Sequence, residues 1–431
     1  MSTGIRIGSW CTLPWERALF AACATMLACA TVPALAQQWE VFDQSTAGFP
    51  SNSVSAIEEA QGSIWVGTSF GLCRYDDGNW DILQSGVSGL PGNVVKCLAV
   101  DTADRLWVGT LLNGIGIYDG SVWEYLNTDN SPLPDNEINC ITIDHRGWAW
   151  IGTFLGLVCY TGSEWRLYNN SDSSYNDLAL GGNVVQDVQV RSDGLVAIGM
   201  LNGGFHYLTD TSVHVFTTYA DDFPDNTQNA VVFDEQANER WLATPSQGLL
   251  RQGGDWLGGP WFKYTSQNSN IPSNAITCLK QDGSGRLWFG TLVAGLGIRD
   301  TDGTYSSYTA ENSGLPENYV QRVLLASDGA VWAGTSSAGA ARLTFPSGLA
   351  QAEVPVVRCY PNPATDHVTI DLTEVDRNGA WRLHDRTGRS LMEGRISQRT
   401  STIDIEALAP GLYLLEVLHS GRRQVIPLQR H

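Results

Sequence analysis

Short alternations of apolar and polar residues, broken every few positions by Gly, Asp or Asn, fill the chain between residues 37 and 345. Residues 90–126 show the unit most clearly. There "NVVKCLAVD" reads as a first strand, "DTADR" as a polar turn, "LWVGT" as a second strand, "GIGIYD" as a third, and "WEYL" as a fourth after the turn "GS". Each run is short, rich in β-branched and aromatic residues, and bounded by turn formers, which predicts antiparallel hairpins and not helices.

The second strand carries a signature that sets the period. It occurs as Trp65-Val66-Gly67-Thr68, Trp107-Val108-Gly109-Thr110, Trp150-Ile151-Gly152-Thr153, Trp288-Phe289-Gly290-Thr291 and Trp332-Ala333-Gly334-Thr335. Worn copies stand at Trp241-Leu242-Ala243-Thr244 and Ala197-Ile198-Gly199-Met200. Successive copies are 42, 43, 47, 44, 47 and 44 residues apart. A period of about 40–50 residues built from four short strands predicts an all-β fold, a β-propeller with one unit per blade. Seven copies predict seven blades over residues 37–345. The last unit, "ENYVQRVLLASDGAVWAGTSSAGAARLTF", lacks a fourth strand, whereas Trp39-Glu40-Val41-Phe42 matches the fourth strands Trp80–Leu83 and Trp123–Leu126. The N-terminal strand is therefore expected to complete the last blade, closing the ring and removing its edges.

The signature residues have structural roles in this scheme. The Trp is expected to pack between neighbouring blades, and the Gly to keep the second strand slim near the axis. In the Asp-x-x-Gly turns, such as Asp144 to Gly147, an Asx-type bond and a glycine of positive φ are expected.

Composition adds compartment and partner. Arg6 and Arg17, an apolar run from Ala18 to Pro33, and Ala34-Leu35-Ala36 read as a secretory leader over residues 1–36. No later run is long and apolar enough to span a bilayer, so the expectation is a mature chain without a transmembrane anchor. Residues 37–355 hold 14 basic and 35 acidic side chains, a net −21. Such a body repels nucleic acid, anionic lipid and polyanionic glycans, and leaves a neutral glycan, a peptide or a surface protein as partner. Six of the nine cysteines lie beyond the leader. Cys97, Cys140 and Cys278 share one repeat position, too far apart across blades to bridge, and are expected as buried free thiols.

Function is expected where the repeats differ. An Asn precedes every first strand (Asn52, Asn93, Asn136, Asn183, Asn226, Asn274 and Asn318), and this regularity reads as loop capping. Three residues on, the position is polar but varied: Ser55, Lys96, Asn139, Gln186, Asn229, Thr277 and Gln321, with Asp187 and Arg322 alongside. Innermost strands line a propeller axis, so Lys96, Asn139, Gln186, Asp187, Asn229, Gln321 and Arg322 are the candidate ligand-binding residues, at the channel mouth. Phe70, Leu111, Leu112, Phe154, Leu155, Leu201, Leu292 and Val293 form an expected apolar rim on that face. The chain has no H-E-x-x-H, no G-x-S-x-G and no Cys/His metal spacing. Neither catalytic nor metal-binding residues nor a cofactor is assigned. The leading expectation is a non-enzymatic binding module. The alternative is an extracellular glycan lyase or hydrolase, with carboxylates brought together from distant blades.

These units resemble the two-component-regulator propeller repeat, carried by "LPGNVVKCLAVDTADRLWVGTLLNGIGIYDG" and its sister copies over about residues 38–345. The resemblance implies a propeller that binds a ligand and does not imply signalling by this chain.

Beyond Phe345, "PSGLAQAEVP" (346–355) reads as a linker, and residues 356–431 as a small Ig-like β-sandwich, on the alternation in "HVTIDL" and "LYLLEVL". Tyr360-Pro361-Asn362-Pro363-Ala364, then Asp385-Arg386-Thr387-Gly388-Arg389, then Leu408-Ala409-Pro410-Gly411-Leu412-Tyr413 resemble the type A C-terminal sorting domain of the type IX secretion system. Arg422, Arg423 and Arg430 stand where that family is Lys-rich. The resemblance implies the type IX machinery as partner and passage through the periplasm and outer membrane of a Bacteroidota-type bacterium. It further implies a cut before Val356, with release or attachment at the cell surface.

Overall fold

The computed structural model describes residues 37–170, 179–209, 211–219, 223–254, 259–345, 358–360, 366–371, 379–385, 389–396, 400–409, 411–419 and 422–430. The expected leader and linker, and Pro361, Asn362, Pro363 and Gly388 of the sorting motifs, lie outside these residues. Every regular element described is a β-strand.

From Gln38 to Thr344 the strands form seven four-stranded antiparallel sheets, the repeating units of a β-propeller. Six are made of consecutive strands, as in Val95–Val100, Leu106–Thr110, Ile115–Tyr118 and Trp123–Leu126. The seventh takes Val320–Leu325, Val331–Thr335 and Ala340–Thr344 and adds Gln38–Phe42 from the other end of the segment. Trp39 lies opposite Leu343 and Phe42 opposite Ala340, as the missing fourth strand predicts. Phe42 also packs against Trp332 in its own sheet and against Tyr75 and Trp80 in the first, with ring centroids 5.2–5.5 Å apart. The first strands touch in a cycle: Val54–Ala60, Val95–Val100, Ile138–Ile143, Val185–Val190, Ala230–Asp234, Ile276–Gln281, Val320–Leu325, and back to Val54–Ala60.

The signature explains this assembly. Trp107 packs with Ile138, Ile141 and Ile151 of the next sheet, and Trp332 likewise with Val54, Ile57 and Val66. In three sheets the Asp at the head of the turn holds the Trp. In the third sheet one Asp144 oxygen accepts the backbone N–H of Arg146 and Trp148, while the other accepts Arg146 Nε and Nη2 and the Trp150 indole, at 2.6–3.1 Å. Burial pushes the Asp144 carboxyl up, but these donors outweigh it and hold it below its ordinary value. Asp101 and Asp282 clasp Trp107 and Trp288 in the same way. Gly147 has the expected positive φ, 81°.

The fourth sheet lacks its Trp for a legible physical reason. Ala197 lies directly opposite Tyr207 on the third strand, and that fully buried ring, packed against Phe205 and Phe216, occupies the space. All seven Asn side chains before the first strands accept a backbone N–H from the preceding loop, at 2.7–2.9 Å. They are loop caps, as their repetition predicts. The five cysteines whose side chains are described, Cys73, Cys97, Cys140, Cys159 and Cys278, are buried and free.

The C-terminal region forms one sheet of Arg358–Tyr360, His367–Asp371 and Thr400–Asp404, and another of Ser390–Ile396, Gly379–Asp385, Gly411–His419 and Arg422–Arg430. Val368, Ile370 and Ile403 from the first share a core with Leu383, Leu415 and Val417 from the second. Tyr413, of the third sorting motif, is buried and donates its hydroxyl to the Ala409 carbonyl at 2.6 Å.

The signature glycine has no room for a side chain. A Cβ on Gly109 would meet Cys97 Sγ in its own sheet and lie 2.7 Å from Ile138 Cγ2 in the next. Gly109→Ala is therefore expected to destabilise the propeller by about 1–3 kcal/mol, read as a lowered Tm in tryptophan-fluorescence melts. An unchanged Tm would contradict the packing described.

Candidate functional site

The seven first strands enclose a cavity of about 320 Å³ to which every sheet contributes. Of the seven residues expected there, Asn139, Gln186, Asp187, Asn229 and Arg322 line it. Lys96 instead faces Glu137 at 3.8 Å, and Gln321 Nε2 donates to the Thr335 carbonyl at 3.5 Å; neither is part of the cavity wall.

Strand register places Asp187 and Arg322 but does not by itself separate Asn139 and Gln186 from Lys96 and Gln321. In six sheets pairing slips by one residue early in the first strand, for instance from Val185↔Met200 to Asp187↔Gly199. Ser55, Lys96, Asn139, Gln186, Thr277 and Gln321 are the residues skipped, each left unpaired at a β-bulge. Several use that freedom to tie neighbouring sheets together. Ser55 donates to the Val95 carbonyl, Asn139 Nδ2 to Val185 O at 3.1 Å, and Thr277 to Val320 O. Asn229, in the sheet without the slip, reaches Ile276 O at 2.8 Å. This varied polar position is thus largely inter-sheet joinery. Gln186 differs: it lines the cavity and no side-chain bond is found for it among the described residues.

The next residue along stands directly opposite the signature glycine. Around the ring these are Ala56, Cys97, Cys140, Asp187, Ala230, Cys278 and Arg322, with Ala243 replacing glycine opposite Ala230. Five are small, and two carry charge. Two residues further, opposite the signature Trp, stand Glu58 and Lys280. Both line the cavity, and sequence reasoning missed both. The signal available was strand alternation, which puts residues i and i+2 on one face.

Electrostatics single out Asp187. Its Oδ2 accepts the Val231 N–H at 2.7 Å. Burial raises its carboxyl to about 6, against the opposing pull of that bond and of the positive charges on Lys280 and Arg322. Burial also pushes Glu58 up, with Lys280 opposing, and pushes the Cys97 thiol up to about 12, so that thiol is not a nucleophile at neutral pH. Around the channel mouth, Phe70, Leu112, Phe154, Leu155, Leu201, Leu292 and Val293 are exposed, and Leu111 is half-buried. Backbone bonds such as Leu201 N–H to Val184 O and Leu292 N–H to Ala275 O place these loops beside the starts of the first strands.

Comparison with known proteins gives the class, a β-propeller, and then the two families it combines. Residues 48–70, 89–111, 132–154 and 270–292 match the two component regulator propeller, and residues 358–426 match the secretion system C-terminal sorting domain. The chain carries both: propeller repeats and, behind them, a sorting domain that directs it to the cell surface or the medium. A comparison with curated proteins gives no match. Similar solved structures include the extracellular domain assigned to a hybrid two component system of B. thetaiotaomicron, at 20% identity and TM-score 0.62, covering 92% of this chain and 57% of that one. Another is PorZ, an essential surface component of the type-IX secretion system of Porphyromonas gingivalis, at 17% identity and TM-score 0.55, covering 91% and 60%. The chain therefore spans less than two thirds of either. YCF48 from Cyanidioschyzon merolae is matched over 72% of this chain and 99% of its own, at 12% identity and TM-score 0.53. These likenesses concern the fold.

The raised carboxyl of Asp187 gives a pH signature. Its folded value, about 6, exceeds the ordinary 3.8, so between these values the unfolded chain releases the proton first. This group's contribution to stability therefore falls as pH rises from about 4 through about 6. Asp187→Asn keeps an oxygen for the Val231 N–H and removes the titration. Relative to the unmodified chain the variant is expected to gain about 1–3 kcal/mol between pH 4 and pH 7, measured by denaturant titration at both. A difference that does not change with pH would contradict it.

Proposed function

We propose that this chain is an exported, non-enzymatic binding module: a seven-bladed propeller over residues 37–345 that takes a ligand in its central channel. An Ig-like sorting sandwich over residues 356–431 follows the 346–355 linker and delivers the propeller through the type IX machinery. The observation that carries the binding reading is the cavity wall, where every sheet contributes and the facing residues differ from sheet to sheet. A site for an asymmetric ligand needs that variation, and a purely structural axis does not. The cycle of first-strand contacts supports seven blades. Support for the Ig-like assignment comes from the Tyr413 hydroxyl, bound four residues upstream at the start of its strand, as in the tyrosine corner of that fold. Among the described residues no helix is long and apolar enough to cross a membrane.

A second reading, an extracellular glycan lyase or hydrolase, draws on Glu58 and Asp187, two carboxyl groups raised by burial in one cavity. Incubating the purified chain with neutral oligosaccharides and peptides, and measuring both binding and turnover, separates the two. Binding without turnover is expected, with Gln186→Ala weakening it roughly fivefold or more through loss of a free hydrogen-bonding group. Turnover that Asp187→Asn abolishes would establish the enzyme instead.

Export has its own test. Removal of residues 356–431 is expected to strand the protein in the periplasm, as followed by cell fractionation and immunoblot; normal surface delivery without them would defeat the assignment.

A further inference from the structure

The cavity wall carries four charged side chains: Glu58 in the first sheet, Asp187 in the fourth, Lys280 in the sixth and Arg322 in the seventh. Their charges sum to zero. None of the four forms an ion pair among the described residues: the Asp187 carboxylate takes one backbone N–H, Glu58 takes its neighbour's N–H, and the Arg322 guanidinium donates to the Gln321 carbonyl. Asp187 and Arg322 occupy the same repeat position, opposite Gly199 and Gly334, three sheets apart around a ring of seven. They therefore stand at one level on roughly opposite walls, with the small side chains of Cys140, Cys97 and Cys278 between and beside them.

We infer that the channel takes a zwitterion, a free amino acid or short peptide, whose ammonium faces Asp187 and whose carboxylate faces Arg322 and Lys280. This rests on the reading of the channel as a ligand site. These opposite charges act on one another without forming an ion pair, and a ligand bearing both signs at its two ends satisfies both. A neutral sugar leaves all four uncompensated when it displaces their water. The volume agrees, since about 320 Å³ is at the small end of ligand pockets and fits a compact solute better than a polysaccharide or a protein segment. The buried thiols supply inert, apolar wall at the same level.

The test uses calorimetry on the purified full chain with L-alanine, L-alanyl-L-alanine, the N-acetyl and C-terminal amide forms of that dipeptide, and a neutral disaccharide. L-alanine or the dipeptide is expected to bind, and which of them binds more tightly decides between amino acid and peptide. Acetylation or amidation of the dipeptide is each expected to weaken binding at least tenfold. In Asp187→Asn the acetylation penalty disappears while the amidation penalty remains, and Arg322→Gln does the reverse. The derivative series needs no substitution, so misfolding of a variant does not rescue the idea. Equal affinity for the dipeptide and its blocked forms, or no binding of either zwitterion, overturns the inference. If the disaccharide binds instead and Gln186→Ala weakens it, the channel stands as a site and only the zwitterion falls. A dipeptide held with undiminished affinity in all three variants, Asp187→Asn, Arg322→Gln and Gln186→Ala, sinks the channel reading as well.

Discussion

Crowding at the axis is the constraint on which the whole structure depends. Seven sheets meet there through their first strands, and the second strand of each sheet must pass the first strand of the next. A Cβ on Gly67 would lie 2.5 Å from Val95, on Gly152 2.7 Å from Val185, and on Gly334 2.5 Å from Val54. No ordinary contact is that short, so glycine is required by geometry. With that strand slim, the Trp two residues earlier settles into the interface, and in three sheets the Asp of the preceding turn fixes its indole. Five units thus supply both the clearance and the wedge for the neighbour, and Gly334 and Trp332 do so across the closure.

The same crowding explains why the channel's charged residues stand out. The side chain facing each glycine shares its confined space, and Ala56, Cys97, Cys140, Ala230 and Cys278 obey that limit. Asp187 and Arg322 do not. Asp187 accepts a raised carboxyl in return, so the substitution is unfavourable for the fold at neutral pH. Its compensating bond is the Val231 N–H of the next sheet.

The ring was legible in the sequence because its determinants repeat: the spacing of Trp-x-Gly-Thr, the Asp-x-x-Gly turns, the regular Asn caps, and the missing fourth strand that Trp39–Phe42 supplies. Two things were not legible, both because they cross strands. Tyr207 substitutes for the absent Trp at Ala197 through a pairing that no single-strand pattern reveals. The bulges early in the first strands set Asp187 and Arg322 opposite the signature glycines, a register that only the strand pairing reveals. Glu58 and Lys280 lie two residues beyond Ala56 and Cys278, outside the varied position, on the face that strand alternation gives them.

Charge gives the final step. The outer body is strongly anionic, yet the charged side chains of the cavity wall balance. A surplus of acid keeps the molecule dispersed and repels polyanions. A balanced interior does not extend that repulsion to a small solute whose own charges cancel. Selection at the surface and selection in the channel thus act on different properties, net charge at the first and the placement of two opposite charges at the second. The ring sets Asp187 and Arg322 three sheets apart at one repeat position, where they form no ion pair.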